Sequence, residues 1–316
     1  MDQPPRVLAA MGGTLALFFT IQLGALALVE PFQTAGLQTV ENPEDPTNSF
    51  LYIGAILVAT GLMLAAFKFD FQWLIRGMVV LASVFLSWYV LVVVVPPIVV
   101  LNGIHVLAAL GALAIGAGLA VYPEWYVIDA AGVIMGAGAA GIFGITFGIL
   151  PALVLLTVLA VYDAISVYGT KHMLSLADGV MAIKIPVLLI IPVSSGYSFL
   201  DDATDESTDE SGETTGRDAF FIGLGDAVIP TVLIASAAFF VPTPSLGVPG
   251  IALTVPALGG MIGMLVGLLV LLWMVMQGRA HAGLPLLNGG TIAGYLVGAL
   301  ASGLTLIEAL GLGPYL

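Results

Sequence analysis

The chain has 316 residues, of which 59% are hydrophobic and only 9% are charged, and its mean hydropathy is +1.11. Soluble proteins carry about 25% charged residues, so this composition is that of a protein that crosses a membrane several times. A net charge of −13 without a basic patch argues against a nucleic-acid partner, and the absence of cysteine excludes disulfides and thiol nucleophiles. The three histidines lack metal-ligand spacing, so we expect no metal and no cofactor.

Nine apolar runs are long enough to cross a bilayer as helices, which predicts an all-α polytopic membrane protein with a single membrane domain over residues 1–316. We interpret the first run as an uncleaved span and not a signal peptide, because it is long and is followed by Glu30-Pro31. The predicted spans are 7–29, 49–67, 74–95, 98–121, 125–145, 147–169, 219–241, 256–277 and 286–311.

The lysines and arginines all fall in segments that share one side of a nine-span bundle. The positive-inside rule then places the N-terminus in the cytoplasm and the C-terminus outside, in the cell membrane. These basic residues are Arg6, Lys68, Arg76, Lys171, Lys184, Arg217 and Arg279.

A long insert, residues 170–218, joins spans 1–6 (7–169) to spans 7–9 (219–311) on the cytoplasmic side. Residues 172–192 are apolar but interrupted by a lysine and two prolines, which predicts an interfacial helix followed by an extended strip. Residues 198–218 are acidic and almost without apolar side chains, so we expect a disordered, flexible tether.

Some other polar residues have structural interpretations. Asp129 follows the start of span 5 and is expected to be a solvated or helix-terminal charge. Asn102 and His105 are expected to form a hydrogen-bonded pair inside span 4. Spans 5, 8 and 9 carry small residues at every fourth position, which favours close helix–helix packing.

Two aspartates inside predicted spans stand out. A carboxylate within a membrane costs roughly 2.5–3.5 kcal/mol on insertion scales, so Asp163 in span 6 and Asp226 in span 7 need a reason to be there. Each lies eight residues, or about 12 Å of helix, from the cytoplasmic end of its span, marked by Lys171 and Asp218. Carboxyls at equal depth can meet and share a proton, which is sufficient for acid–base cleavage of a peptide bond by water.

The residues around the aspartates are themselves specific. Tyr162 precedes Asp163, and Gly223, Leu224 and Gly225 precede Asp226, where the glycines let another chain approach the carboxyl. The start of span 9 carries Pro285, Leu286 and Leu287, and a proline there leaves a backbone carbonyl unpaired that can align a substrate.

With these residues the chain resembles the presenilin-type intramembrane aspartyl proteases, the family that includes signal peptide peptidase. The resemblance rests on Tyr-Asp at 162–163 and Gly-Leu-Gly-Asp at 223–226, in successive spans. The family's Pro-Ala-Leu motif departs to Pro-Leu-Leu at 285–287. Literal Pro-Ala-Leu strings occur at 151–153 and 256–258, but they lie near the outer ends of their spans, and we reject them.

The resemblance implies a nine-span presenilin-like fold and an enzyme that hydrolyses peptide bonds within or near transmembrane helices. Asp163 and Asp226 would activate the water, Tyr162 and residues 223–225 would support them, and residues 285–287 would position the substrate. The orientation and the acidic insert favour the presenilin branch, and the short polar loops favour a self-sufficient archaeal enzyme without accessory subunits. The expected partners are transmembrane proteins as substrates and the lipid bilayer.

Two further hypotheses follow from the residues. The strip Ile185–Val193 is rich in β-formers and is predicted to pair as an edge strand with an extended substrate. The alternative to proteolysis is a cation- or proton-coupled transporter or leak channel, in which Asp163 and Asp226 carry ions.

Overall fold

The structure of the protein is a computed structural model that describes residues 5–69, 71–170, 188–194, 196–202, 219–277 and 281–315. Apolar helices with short connections dominate it. The helices are α1 (Pro5–Thr34), α2 (Thr47–Lys68), α3 (Gln72–Val94), α4 (Val106–Val121), α5 (Trp125–Thr146), α6 (Ile149–Ala164), α7 (Phe199–Asp202), α8 (Leu224–Phe240), α9 (Val255–Val275), α10 (Leu284–Ala301) and α11 (Leu306–Ala309). The strands are β1 (Val100–Leu101), β2 (Ile104–His105), β3 (Leu188–Pro192) and β4 (Ala219–Gly223).

The predicted fold class, a mostly helical polytopic membrane protein, is confirmed. Within the described ranges, seven helices are long and apolar enough to cross a membrane. Two shorter apolar helices, α4 and α8, stand where the fourth and seventh spans are predicted. The count of nine spans therefore stays a prediction.

The predicted fourth span, 98–121, is wrong over its first residues. Residues 100–105 form an antiparallel hairpin, because Asn102 and Gly103 both adopt positive φ, of 50° and 81°, as a tight two-residue turn requires. The helix begins only at Val106. Asn102 is exposed at the tip of the hairpin, so it does not form the predicted polar pair with His105 inside the bundle.

The predicted seventh span, 219–241, is also wrong at its start. Residues 219–223 are strand β4, which pairs antiparallel with β3 from Leu188↔Gly223 to Pro192↔Ala219. The β-forming run Ala-Phe-Phe-Ile finds a matching strand, and Gly223 then caps α8. Asp226 thus lies in the first turn of its helix, and not eight residues along it.

The insert is described only in part. The predicted extended strip is strand over its described portion, Leu188–Pro192. The predicted interfacial helix and most of the predicted acidic tether lie outside the described residues. The prediction of disorder is wrong for residues 199–202, which form the helical turn α7.

The ninth predicted span, 286–311, ends early. Helix α10 stops at Ala301, and Gly303 follows with a φ of 86°, a conformation that commonly terminates helices. The short helix α11 then carries Glu308 in a capping box with Thr305.

Helices α1, α5 and α8 pack against one another at the centre of the bundle, and α9 and α10 pack closely as a pair beside α8. The α9–α10 contact is a glycine seam, in which the backbones touch and a Cβ on most members would overlap a carbonyl of the facing helix. Its members are Gly259, Gly263 and Gly267 on α9 and Gly290, Gly294 and Gly298 on α10. This seam fixes the start of α10, where the candidate site lies.

Candidate active site

Asp163 lies one residue before the end of α6, where the helix continues as a π-helical segment, Ile165–Thr170. Its side chain is only 6% exposed. The backbone N–H of Leu284, the first residue of α10, donates to Asp163 Oδ2 at 3.1 Å. The carboxyl of α6 is therefore tied directly to the backbone at the start of α10.

Asp226 contacts the same stretch of backbone one residue earlier, at Gly283. It is half-buried, and its Oδ2 lies 3.2 Å from the position that a Cβ would occupy on Gly283. Its carboxyl is close enough to that of Asp163 for the two to interact electrostatically. Residues 283–284 thus contact both carboxyls, and the sequence-predicted pair is brought together in space.

The residues that precede Asp226 fit this arrangement in different ways. Leu224 is buried, and its Cδ1 packs over Gly132 and Gly136 of α5, which have no side chain there. Gly223 has Asp226 Oδ2 3.5 Å from where its Cβ would be, so it leaves the carboxyl uncovered. Gly225 is exposed, with open space around it. Together they lock the start of α8 onto α5 and keep bulk away from the carboxyl.

Of the other predicted site residues, Tyr162 is half-buried beside Asp163. Pro285, Leu286 and Leu287 form the first turn of α10, where Leu287 is fully buried and the Leu286 carbonyl packs against Gly267 of the glycine seam. The hydrogen bond to Asp163 and the close approach to Asp226 come from the two residues before this motif. The rejected Pro-Ala-Leu strings lie at the opposite ends of α6 and α9.

Sequence reasoning missed several residues that hold the site. Gly283 and Leu284 have a local signal, since a glycine stands two residues before the motif proline. Tyr168 has none: its hydroxyl accepts from Ala282 N–H at 3.2 Å and lies 3.4 Å from His281 Nδ1. Asn288 Nδ2 donates to the Leu156 carbonyl at 2.8 Å, a second tie between α10 and α6.

The expectation for Asp129 is wrong. It is 7% exposed and accepts the Ile190 N–H of β3 at 2.8 Å, because β3 folds back over the start of α5 and excludes solvent. Glu124 caps α5 and accepts from Ser198 Oγ at 2.7 Å and from Phe199 N–H at 3.1 Å. Burial alone would raise the pKa of Glu124, but these hydrogen bonds together hold it below its ordinary value.

Within the described ranges no group of three or more His, Cys, Asp or Glu side chains is placed to hold a metal ion. Asp163 and Asp226 offer the chemistry of two neighbouring carboxyls, which can hold one proton between them and activate a water molecule.

The chain is similar to proteins of one known family. Residues 15–304 match the profile of the family described as signal-peptide peptidase, presenilin aspartyl protease. A solved presenilin family intramembrane aspartate protease in space group C222 is 35% identical, with 92% of this chain and 99% of that chain covered and a TM-score of 0.66. A second structure of a presenilin family intramembrane aspartate protease, in space group P2, is 34% identical, with 92% of this chain and 97% of that chain covered and a TM-score of 0.60. No curated protein matches the chain.

The helical membrane fold and these comparisons define an intramembrane aspartyl protease. The chain belongs to the signal-peptide peptidase and presenilin aspartyl protease family. It is an integral membrane protein, and the alternative of a transporter or leak channel is not supported.

Proposed function

We propose that Asp163 and Asp226 are the catalytic pair of this protease. One carboxylate takes a proton from a water molecule, and the other, protonated, donates to the scissile carbonyl oxygen as the tetrahedral intermediate forms. The observation that carries the proposal is that two adjacent residues contact the two carboxyls, Gly283 that of Asp226 and Leu284 that of Asp163. The pair shares its protons as a unit, so the acid and base roles belong to the pair.

The substrate in this proposal is a transmembrane helix that unwinds locally, because a helical peptide bond is shielded by its own hydrogen bonds. An unwound segment needs partners for its backbone groups, and an open strand edge supplies them. The strip Ile185–Val193 is predicted to pair with the substrate, but at Ile190 it has no free edge. There β3 pairs with β4 on one side and faces Asp129 on the other.

The open edge is that of β4. Because the Ile190 N–H points away from β4, Ile190↔Phe221 is a non-hydrogen-bonded pair of the antiparallel ladder, and the backbone groups of Phe221 also point outward. Among the described residues, none outside the ladder makes a backbone hydrogen bond to Phe221. We place the substrate strand along this edge, which leads through Gly223 to Asp226.

The orientation follows from the basic residues: the protein lies in the cell membrane with its N-terminus cytoplasmic and its C-terminus outside. The ends of α6, α8 and α10 that meet at the pair then face the cytoplasm, which gives water a short route. We regard residues 1–316 as one membrane domain that acts without accessory subunits, with 170–218 as a flexible cytoplasmic tether between its two parts.

The catalytic pair is tested by cleavage of a generic single-span substrate in detergent. Asp163→Asn and Asp226→Asn should each lower turnover by roughly 10²–10⁴-fold, because each removes a proton donor or acceptor. Glu308→Gln is the matched control: it neutralises a carboxyl in the capping box of α11 and should keep wild-type activity. Wild-type turnover in either aspartate variant would overturn the assignment.

The substrate edge is tested by Phe221→Pro, which removes the outward N–H but no ladder hydrogen bond. Cleavage should fall by about tenfold, whereas Phe221→Leu, which keeps the N–H, should stay near wild type. Equal activity in the two variants would remove β4 as the docking edge.

A further inference from the structure

A second buried carboxylate lies outside the catalytic pair. Asp129, on the second turn of α5, is 7% exposed and accepts the Ile190 N–H at 2.8 Å. This hydrogen bond is buried, so water competes little with it. Such a contact holds the strand where it is, and none of the chemistry described above uses it.

The position of this contact within the sheet matters. Ile190 is the central residue of β3, and its N–H points away from β4. The Asp129 carboxylate therefore stands where a further strand would otherwise pair. It closes the edge of β3 at its centre and leaves β4 as the edge that can accept another strand.

Packing around Asp129 connects the sheet to the catalytic start of α8. Leu189 of β3 and Leu224 of α8 both lie over Gly132 of α5, with Leu189 Cδ2 3.0 Å and Leu224 Cδ1 3.7 Å from the position of its Cβ. The first three turns of α5 therefore hold β3 and the residue two before Asp226 against the same surface. A displacement of β3 would be transmitted to β4 by the five paired residues and from there to Asp226.

Glu124, at the cap of α5, holds the other end of this segment through Ser198 and Phe199. The two carboxylates of one helix end thus fix residues 190 and 198–199. With the centre of β3 and the segment after it both fixed, the strand has one register with β4, and a slip by one residue would turn every side chain to the other face.

We propose that Asp129 is a positioning residue that sets which peptide bond is cleaved. By accepting the Ile190 N–H, it closes the far edge of β3 and fixes the register of β4, so that a substrate strand adds only beside Asp226. The inference rests on the proposed function, in which Asp163 and Asp226 cleave a substrate that lies along β4. Asp129 touches no reacting atom.

The test compares Asp129→Asn with Asp129→Ala, using the full chain, a single-span substrate and mass spectrometry of the products. The asparagine keeps an oxygen that accepts the Ile190 N–H, so it should stay within about threefold of wild type and cut at the same bond. The alanine leaves that N–H without a partner. It should lower kcat about tenfold and spread the product ends over neighbouring bonds.

Ile190→Pro tests the same contact from the other side, and it decides the matter if Asp129→Ala does not fold. It removes the donor without touching the ladder, so it should reproduce the spread of product ends. The double variant Asp129→Ala with Ile190→Pro should have the same kcat and the same spread of product ends as either single variant, because both substitutions remove the same hydrogen bond. Glu308→Ala, which removes a carboxylate from a cap far from the sheet, should keep the wild-type products.

The outcomes separate the two proposals. If folded Asp129→Ala gives the single wild-type product, the positioning role is overturned. If Asp129→Ala does not fold, the same result from Ile190→Pro overturns it. An Asp129→Asn variant that is as impaired as Asp129→Ala also overturns it. If instead Asp163→Asn or Asp226→Asn keeps wild-type turnover, the catalytic pair itself is wrong, whatever the Asp129 variants do.

Discussion

Helix α2 and the α9–α10 pair are both apolar and both contain glycine, yet they are constrained very differently. In the most apolar window of α2 only 6% of the residues are buried, and a Cβ on Gly54 or Gly61 would meet nothing within 4 Å. In the glycine seam of α9 and α10, a Cβ on Gly263 would overlap the Gly290 carbonyl. Helix α2 is therefore constrained mainly by lipid, whereas the α9–α10 pair is constrained by its own backbone contacts.

This difference in packing shows which helices determine the geometry of the site. On the exposed face of α2 any apolar residue of good helix propensity serves, because lipid tails adapt to the surface. In α9 and α10 the interhelix distance depends on absent side chains, and that distance sets where α10 begins. Since Gly283 and Leu284 stand at that beginning, the packing of the seam is also the geometry of the catalytic pair.

The largest expected effect comes from opening the seam. Gly263→Leu should force α9 and α10 apart, lower stability by about 3 kcal/mol and abolish cleavage, because overpacking a tight contact moves the backbone. Thermal unfolding in detergent, together with the cleavage assay, measures both. The matched variant Gly61→Leu in α2 should leave both unchanged, and an equal loss there would erase the contrast between the two regions.

A smaller change tests the site without opening the seam. Gly283→Ala places a Cβ 3.2 Å from Asp226 Oδ2 and 3.4 Å from Leu271 Cδ2, so the carboxyl must shift by a few tenths of an ångström. We expect turnover to fall roughly 10-fold to 100-fold, with the unfolding temperature nearly unchanged. Gly289→Ala is the control, because Gly289 lies in the helix that Gly283 caps but has open space around it. A Gly283→Ala enzyme with normal turnover would mean that the pair does not depend on this approach.

Tyr168→Phe tests whether a contact outside the glycine seam helps to position the residues before α10. The hydroxyl that accepts the Ala282 N–H is lost while the ring is kept. Since one hydrogen bond of a largely exposed side chain contributes about 1 kcal/mol, kcat should fall about fivefold with KM unchanged. Tyr122→Phe, at an exposed tyrosine of comparable exposure, should have no effect. A normal kcat for Tyr168→Phe would show that the position of residues 282–284 does not depend on this hydrogen bond.

The smallest effect is expected in the lipid-facing region. Gly54→Ala should change stability by no more than about 1 kcal/mol, towards greater stability, since alanine is the better helix former and the position is open. Thermal unfolding in detergent measures it. A clear loss would show that the Gly54 face of α2 has a packing partner, and the comparison with α9–α10 would have to be redrawn.

The helical membrane class and the two carboxyls that the structure brings together followed from the amino-acid sequence alone. These are local properties: transfer into lipid depends on each residue's own polarity, and an aspartate in an apolar run is conspicuous wherever its neighbours lie. The Tyr-Asp and Gly-Leu-Gly-Asp strings were equally visible, because their residues are consecutive.

The tertiary structure alone decided the rest. Residues 219–223 form a strand and not a helix because a segment 31 residues earlier pairs with them, from Leu188↔Gly223 to Pro192↔Ala219. Asp129 is buried and not solvated because β3 folds over it, and the start of α10, where Gly283 meets Asp226, is placed by glycines of α9 and α10 that let these two helices touch. Each of these outcomes depends on which backbone groups and side chains meet across long separations in the chain. No local pattern contains that information, because burial and hydrogen bonding are properties of the partners as well as of the residue.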